Sequence, residues 1–187
     1  MASTIFSACR AKATWRRRQH GRRLRQAHRQ AGLDALHDAR NAIKYVTCRQ
    51  EGGAANMAES YGKLTGKPGV CFVTRGPGAT NASIGVHTAF QDSTPMIVLV
   101  GQVARDQEER EAFQEIDYRR FFGPIAKWVT EIDDPARIPE LVTRAFSLSV
   151  SGRPGPVVIA LPEDVLTQQT RDAPAALPFT PVETNPG

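Results

Sequence analysis

From residue 33 onward, two apolar patterns alternate along the chain. Short runs rich in β-branched residues predict strands: IKYVTC (Ile43–Cys48), GVCFVT (Gly69–Thr74), PMIVLVG (Pro95–Gly101), AKWVTEI (Ala126–Ile132) and PVVIAL (Pro156–Leu161). Between them apolar residues recur at helical spacing, which predicts helices over roughly Glu51–Thr65, Ala79–Phe90 and Pro135–Val150. Each ends on a turn signal, namely Gly66, Asp92-Ser93 and Gly152. Strands that read as near-continuous apolar runs are buried on both faces, and helices between them imply crossover connections. The fold class expected is therefore α/β, a three-layer parallel sheet with helices on both faces. At 187 residues and 41% hydrophobic content, the chain suits one such domain.

The two ends depart from this pattern. Residues 1–32 carry nine Arg or Lys and no acid, so the remaining fifteen bases face nineteen acids. The formal charge of +5 is thus a property of the start, and the part that alternates is mildly acidic. An acid-free, Arg-rich start resembles a transit peptide or a nucleic-acid-binding arm. Residues 171–187, with Pro174, Pro178, Pro181 and Pro186 and no apolar period, read as an extended linker. The domain proper is expected over residues 33–170. No apolar run reaches the roughly 18 residues of a membrane span, so no membrane partner is expected. Cys9, Cys48 and Cys71 have no metal-ligand spacing and no even pairing, which favours a reducing, cytoplasmic setting. Cys48 and Cys71 lie in apolar runs and read as small buried hydrophobes.

Candidate chemistry is sparse. Glu51 opens a helix stripped of bulk by Gly52, Gly53, Ala54, Ala55 and Ala58. An acid in a first turn complements the helix dipole without doing chemistry. The small residues after it, however, cost up to about 1 kcal/mol per glycine in helix propensity and allow close approach by a flat ligand or another helix. Gly76-Pro77-Gly78 joins a strand to a helix, where a tight turn is the plainer reading and a phosphate-binding loop the sharper one. Against a dinucleotide fingerprint the match is poor, since Asn81 stands for the third glycine and Gly101-Gln102 for the ribose-binding acid. His87 reads as a partly buried helix residue with no second ligand at metal spacing. The charged segment Arg105–Arg120 reads as a solvated face in which Phe113 and Gln114 are the unexpected residues.

Five segments together, LDALHDA, CRQEGGAANMAESYGKLTGKPGVCFVTRGPGATN, AFQDSTPMIVLVGQV, EAFQEID and GRPGPVVIALPEDV, resemble the N-terminal, pyrimidine-binding domain of thiamine-diphosphate-dependent enzymes, within them the acetolactate synthase branch. The resemblance runs from about Leu33 to Leu166. It implies that Glu51 is catalytic and hydrogen-bonds N1′ of the aminopyrimidine, favouring the tautomer that takes the proton from C2 of the thiazolium. It further implies that Gly76, Pro77, Gly78 and Asn81 border the cofactor's pyrimidine end, and that Phe113, Gln114 and Lys127 approach the substrate. The reaction implied is decarboxylation of a 2-oxo acid followed by carboligation, transferase and lyase chemistry that serves branched-chain amino acid biosynthesis.

The resemblance also shows what to expect outside this chain. The Mg²⁺ and diphosphate ligands belong to a C-terminal domain, and FAD, where members bind it, belongs to a middle domain. This chain is therefore expected to contribute no metal ligand and to be inactive alone, pairing with itself or with a homologous subunit that carries the diphosphate-binding domain. The alternative is a non-catalytic dimerisation module completed by a separately encoded partner. At the start, the family's first strand and cofactor loop are replaced by basic residues. Under the standard genetic code, residues 1–15 can be encoded so that a shifted frame reads GVDHIFCVPGESYLA, a strand and loop of the family's kind. Residues 1–32 are thus expected to be out-of-frame translation, with the first strand missing, and nucleic acid is not expected as a partner.

Overall fold

The computed structural model describes residues 45–170. It contains four strands and four α-helices in the order α1 (Glu51–Thr65), β1 (Gly69–Val73), α2 (Pro77–Gln91), β2 (Met96–Gln102), α3 (Tyr118–Phe122), β3 (Trp128–Glu131), α4 (Ile138–Val150) and β4 (Pro156–Pro162). The strands form one sheet in the order β1-β2-β4-β3, every pairing parallel. Register is fixed by pairs such as Cys71 with Val98, Leu99 with Ile159 and Val129 with Val158.

Alternation along the central strands divides their side chains between two cores. Met96, Val98 and Val100 of β2 join Ala55, Ala58, Ala82, Val86, Ala89 and Phe122 beneath α1, α2 and α3. Ile97 and Leu99 point the other way, onto Leu141, Val142, Ala145 and Phe146 of α4. Every residue of β2 except Gly101 is buried, and all of β4 is, as strands covered by helices on both faces require. The expected three-layer α/β fold is what the chain adopts.

Helix ends follow local chemistry. Gln50 caps α1, its Oε1 accepting from the Gly53 amide at 2.9 Å, and Gly66 ends it at φ +65°. Pro77 opens α2 at a position where its missing N–H costs nothing, and Ser93 at φ 56° closes the turn after it. The helix expected over Pro135–Val150 divides into a 3₁₀ turn, Pro135–Arg137, and α4. The small residues of α1 are used within the chain. A Cβ on Gly85 of α2 would lie 2.6 Å from the Ala55 carbonyl carbon, and one on Gly52 would lie 3.1 Å from the Asn81 carbonyl oxygen.

Three expectations need correction. Tyr45–Cys48, the described part of the expected strand Ile43–Cys48, joins no strand, and Val46 is 54% exposed. An apolar, β-branched run becomes a strand only where a sheet edge accepts its backbone. Cys48 is half-buried at the surface, its thiol 3.3 Å from the Met57 sulfur, whereas Cys71 is buried as expected. His87 is exposed, on the outer face of α2, its ring nitrogen 3.5 Å from the side-chain amide of Gln91, one helical turn further on. The missing first strand, the basic segment 1–32 and the linker 171–187 fall outside the described residues. Among the described residues no helix is long and apolar enough to cross a membrane.

Candidate functional site

In parallel α/β sheets, loops at the carboxyl ends of the strands can converge to form a site. Here Thr74-Arg75-Gly76 leaves β1 at that end, α2 starts there, and α1 begins there with Glu51. Glu51 and Asn81, thirty residues apart, meet where α1 and α2 begin, the Asn81 Nδ2 donating to Glu51 Oε2 at 3.3 Å. The second oxygen, Glu51 Oε1, has no hydrogen-bond partner among the described residues. It lies 3.4 Å from where a Cβ on Gly78 would stand, and that same Cβ would run into the Thr74 methyl. A Cβ on Gly53, by contrast, would meet nothing within 4 Å. The half-buried carboxylate therefore sits among small residues, with one oxygen held and the other open to a donor.

The glycine turn is held from the opposite side. Gly76 adopts φ 59°, ψ −118°, a conformation that favours glycine. Its amide donates to the Tyr118 hydroxyl at 3.0 Å, and that hydroxyl donates to the Gly101 carbonyl at 3.1 Å. Gln114, itself at φ 67°, lies over Gly76 so closely that an added Cβ would be 2.7 Å from Gln114 Cβ. The sequence-expected residues Glu51, Gly76, Pro77, Gly78, Asn81 and Gln114 thus come together at one end of the sheet. Phe113 is beside them and 80% exposed.

Lys127 is not brought to this end. It precedes β3, where its amide donates to Pro156 O at 2.8 Å and its ammonium donates to the carbonyls of Ser151 and Arg153. Burial lowers its pKa. Those contacts tie the start of β3 to the α4–β4 turn, at the end of the sheet away from Glu51.

Residues 105–117, the larger part of the segment Arg105–Arg120 read from sequence as a solvated face, form a strap across the carboxyl ends of the strands. Arg105 reaches two segments at once, donating from Nε to Asp164 at 2.7 Å and to Gln168 Oε1 at 2.8 Å after β4, and to the Asp133 carbonyl after β3. Burial pushes Asp164 up, but the Arg105 amide and guanidinium outweigh it and hold the carboxyl below its ordinary range. Glu115 accepts from the Glu109 and Ala112 amides, and Gln102 Nε2 donates to Ile116 O at 3.1 Å. Glu108 turns inward, its Oε1 buried without a hydrogen-bond partner. Burial first, then the neighbouring Glu131 carboxylate with Glu115 and Asp164 behind it, pushes Glu108 up to about 7. Sequence reasoning missed Glu108 and Tyr118. A signal for the latter was present, because Tyr118 and Phe122 stand one helical turn apart in a charged segment and share the core face.

Comparison with known proteins agrees with the geometry. Residues 26–121 match the family model of the thiamine pyrophosphate enzyme, N-terminal TPP binding domain. The acetolactate synthase of Arthrospira platensis is 46% identical over 134 residues, which are 71% of this chain and 23% of the relative. The acetolactate synthase isozyme 3 large subunit of Escherichia coli is 45% identical over 71% of the chain and 23% of its own length. For the mitochondrial acetolactate synthase catalytic subunit of Aspergillus candidus the figures are 40%, 80% and 22%. The chain thus spans less than a quarter of the length of these relatives. Fold, family match and the identity of these relatives lead to one conclusion: the chain belongs to the thiamine pyrophosphate enzymes and carries their N-terminal TPP-binding domain.

Proposed function

We propose that this chain supplies the pyrimidine end of a thiamine diphosphate site in an acetolactate-synthase-like enzyme acting on 2-oxo acids, with Glu51 as its catalytic residue. The observation that carries the reading is the carboxylate itself: Glu51 Oε2 is held by Asn81 at 3.3 Å, while Oε1 is without a hydrogen-bond partner among the described residues and lies beside Gly78. The residues present fit a flat heteroaromatic ring, since side chains at Gly76 and Gly78 would meet Gln114 and Thr74, and one at Gly53 would point into open space. Glu51 would share a proton between Oε1 and a ring nitrogen, a charge-assisted hydrogen bond. Asn81 would fix the carboxylate's orientation, and the Gly76-Pro77-Gly78 turn would border the ring. When bound, the cofactor supplies carbanion stabilisation for decarboxylation and carboligation, and the protein's part is binding, orientation and proton placement.

Diphosphate and Mg²⁺ would be held by a second domain, brought by another copy or by a homologous subunit, and in that assembly the strap carrying Phe113 and Gln114 would face the 2-oxo acid. Lys127 has no part in this reading because its ammonium is engaged with Ser151 and Arg153. The test is ligand-observed NMR with thiamine, which carries the aminopyrimidine and needs no diphosphate site. Wild type should bind, and Glu51→Gln should weaken binding about tenfold or more, the loss of one hydrogen bond to a charged group. Equal binding by the two proteins, or none by wild type, would refute the role of Glu51.

A further inference from the structure

We infer that Tyr118 is a positioning residue for the cofactor-facing turn: its hydroxyl ties the Gly76 amide to the Gly101 carbonyl and so sets where α2, and with it Asn81 against Glu51, begins. The inference deepens the proposed function and rests on it for the identity of the ligand, while the tie itself stands on the geometry of this chain alone.

A phenol hydroxyl has one proton to give and lone pairs to accept with, and Tyr118 uses both. It accepts from Gly76 at 3.0 Å and donates to Gly101 at 3.1 Å, joining the residue after the β1 exit to the end of β2. Among the described residues no ladder pairing ties Gly101 to Gly76, because β1 and β2 pair only as far as Val73 with Val100. The ring cannot swing away. Tyr118 is 3% exposed, its ring centroid 6.3 Å from that of Phe122, in the same core as Val73 and Val100. Burial also pushes its pKa above the ordinary phenol value, so the hydroxyl keeps its proton throughout the neutral range.

Downstream, the geometry is sequential. Gly76 N–H is held by Tyr118, Gly76 O accepts from Thr80 N at 3.0 Å to close the first turn of α2, and Asn81, the next residue, reaches Glu51 at 3.3 Å. Gln114 closes the outer side of Gly76, so the turn is fixed on two sides by residues 114 and 118. Among the described residues the Tyr118 hydroxyl bonds to Gly76 and Gly101 and not to Glu51, so it acts through the turn.

Tyr118→Phe keeps the ring and removes only the hydroxyl. Three readings on the full chain decide the matter. First, amide exchange at Gly76, slow in wild type, should rise about tenfold or more, the loss of one buried hydrogen bond. Second, the Asn81 side-chain amide resonance, identified by its displacement in Glu51→Gln, should move toward its position in that variant. Third, thiamine affinity should fall about tenfold. Leu141→Ala, in the core on the other face of the sheet, serves as a destabilised control that should leave the Asn81 signal and thiamine affinity unmoved at temperatures below its unfolding transition. An unchanged Gly76 exchange rate or an unmoved Asn81 signal in Tyr118→Phe overturns the inference, as does a Leu141→Ala variant that shifts the Asn81 signal and weakens thiamine binding in the same way. If wild type does not bind thiamine, the functional reading fails, while the first two readings still decide whether Tyr118 holds the turn. Should Tyr118→Phe not fold, the Tyr118 hydroxyl proton of the wild type decides: held between Gly76 and Gly101 it should exchange slowly enough to be observed, and a hydroxyl in rapid exchange with water overturns the inference.

Discussion

At the scale of single residues, the site combines carboxylates in two different settings. Glu51 is half-buried and partnered by Asn81, whereas Glu108 is turned under the strap with Glu131, Glu115 and Asp164 around it and its Oε1 unpartnered. Two carboxylate oxygens cannot hydrogen-bond without a proton between them, so a proton on Glu108 supplies the donor that the pair lacks. Its folded pKa is raised, to about 7 from the ordinary 4.5, and the sign follows. Below 4.5 Glu108 is protonated whether the chain is folded or not. Between 4.5 and about 7 the unfolded chain gives up the proton and the folded one does not, so stability falls as pH rises through this window. Asp164 works in the opposite sense, but only at pH near and below its ordinary 3.8, outside that window. Thermal melts at pH 5 and pH 8 should show a lower midpoint at pH 8. Glu108→Gln, neutral at both, should reduce the difference. An equal fall in Glu108→Gln would assign the dependence to other groups.

At the scale of elements, α1 and α2 show how backbone proximity decides between competing effects. Replacing a mid-helix glycine by alanine normally stabilises by about 1 kcal/mol through propensity. At Gly85 the new methyl would sit 2.6 Å from the Ala55 carbonyl carbon and 2.7 Å from its Cβ, and overpacking of this kind costs about 1–3 kcal/mol. Ala55 is wholly buried and presents rigid backbone, so the clash wins. Urea denaturation should find Gly85→Ala destabilised by about 1 kcal/mol or more. Gly53→Ala, with nothing within 4 Å, should be neutral or stabilised. Legibility in the sequence divides along the same line. Helices α1, α2 and α4 and strands β1 to β4 were readable to within one to three residues, because buried parallel strands are continuous apolar runs and the helices end on Gly66, Ser93 and Gly152. What resisted reading depends on partners distant in sequence. Tyr45–Cys48 has strand composition but pairs with no strand. Lys127, which the resemblance sets near the substrate, stands at the start of its strand and binds the carbonyls of Ser151 and Arg153, far off in sequence. Tyr118 and Glu108 are drawn inward from a charged segment by Gly76, Gly101 and Glu131, which lie up to 42 residues away in sequence and are neighbours only in the fold.

At the scale of the whole molecule, the two cores are distinct in composition yet built on the same strands. One is lined by Met96, Val98, Val100, Val158 and Ala160, and the other by Ile97, Leu99, Val157, Ile159 and Leu161, so β2 and β4 belong to both. A strand shared in this way cannot leave one core without leaving the other. The α4 core should therefore not open independently of the α1–α2 core, even though α4 is the only long helix on its face among the described residues. Among the described residues β2 and β4 are paired on both sides, whereas β1 and β3 are each paired on one. Backbone amides of the two central strands should accordingly exchange only through global unfolding, and those of β1 and β3 should exchange faster through local opening at the edges. Leu141, 4% exposed on α4, provides the perturbation. Leu141→Ala should cost about 2–5 kcal/mol by deleting packed methyl groups. If the cores are coupled through the shared strands, exchange in β2 and β4 should accelerate by one common factor, equal to that loss of global stability. Acceleration in α4 alone, with β2 and β4 protected as before, would mean that the far core opens by itself. The glycine turn and Glu51 would then ride on a sheet face whose order does not depend on α4.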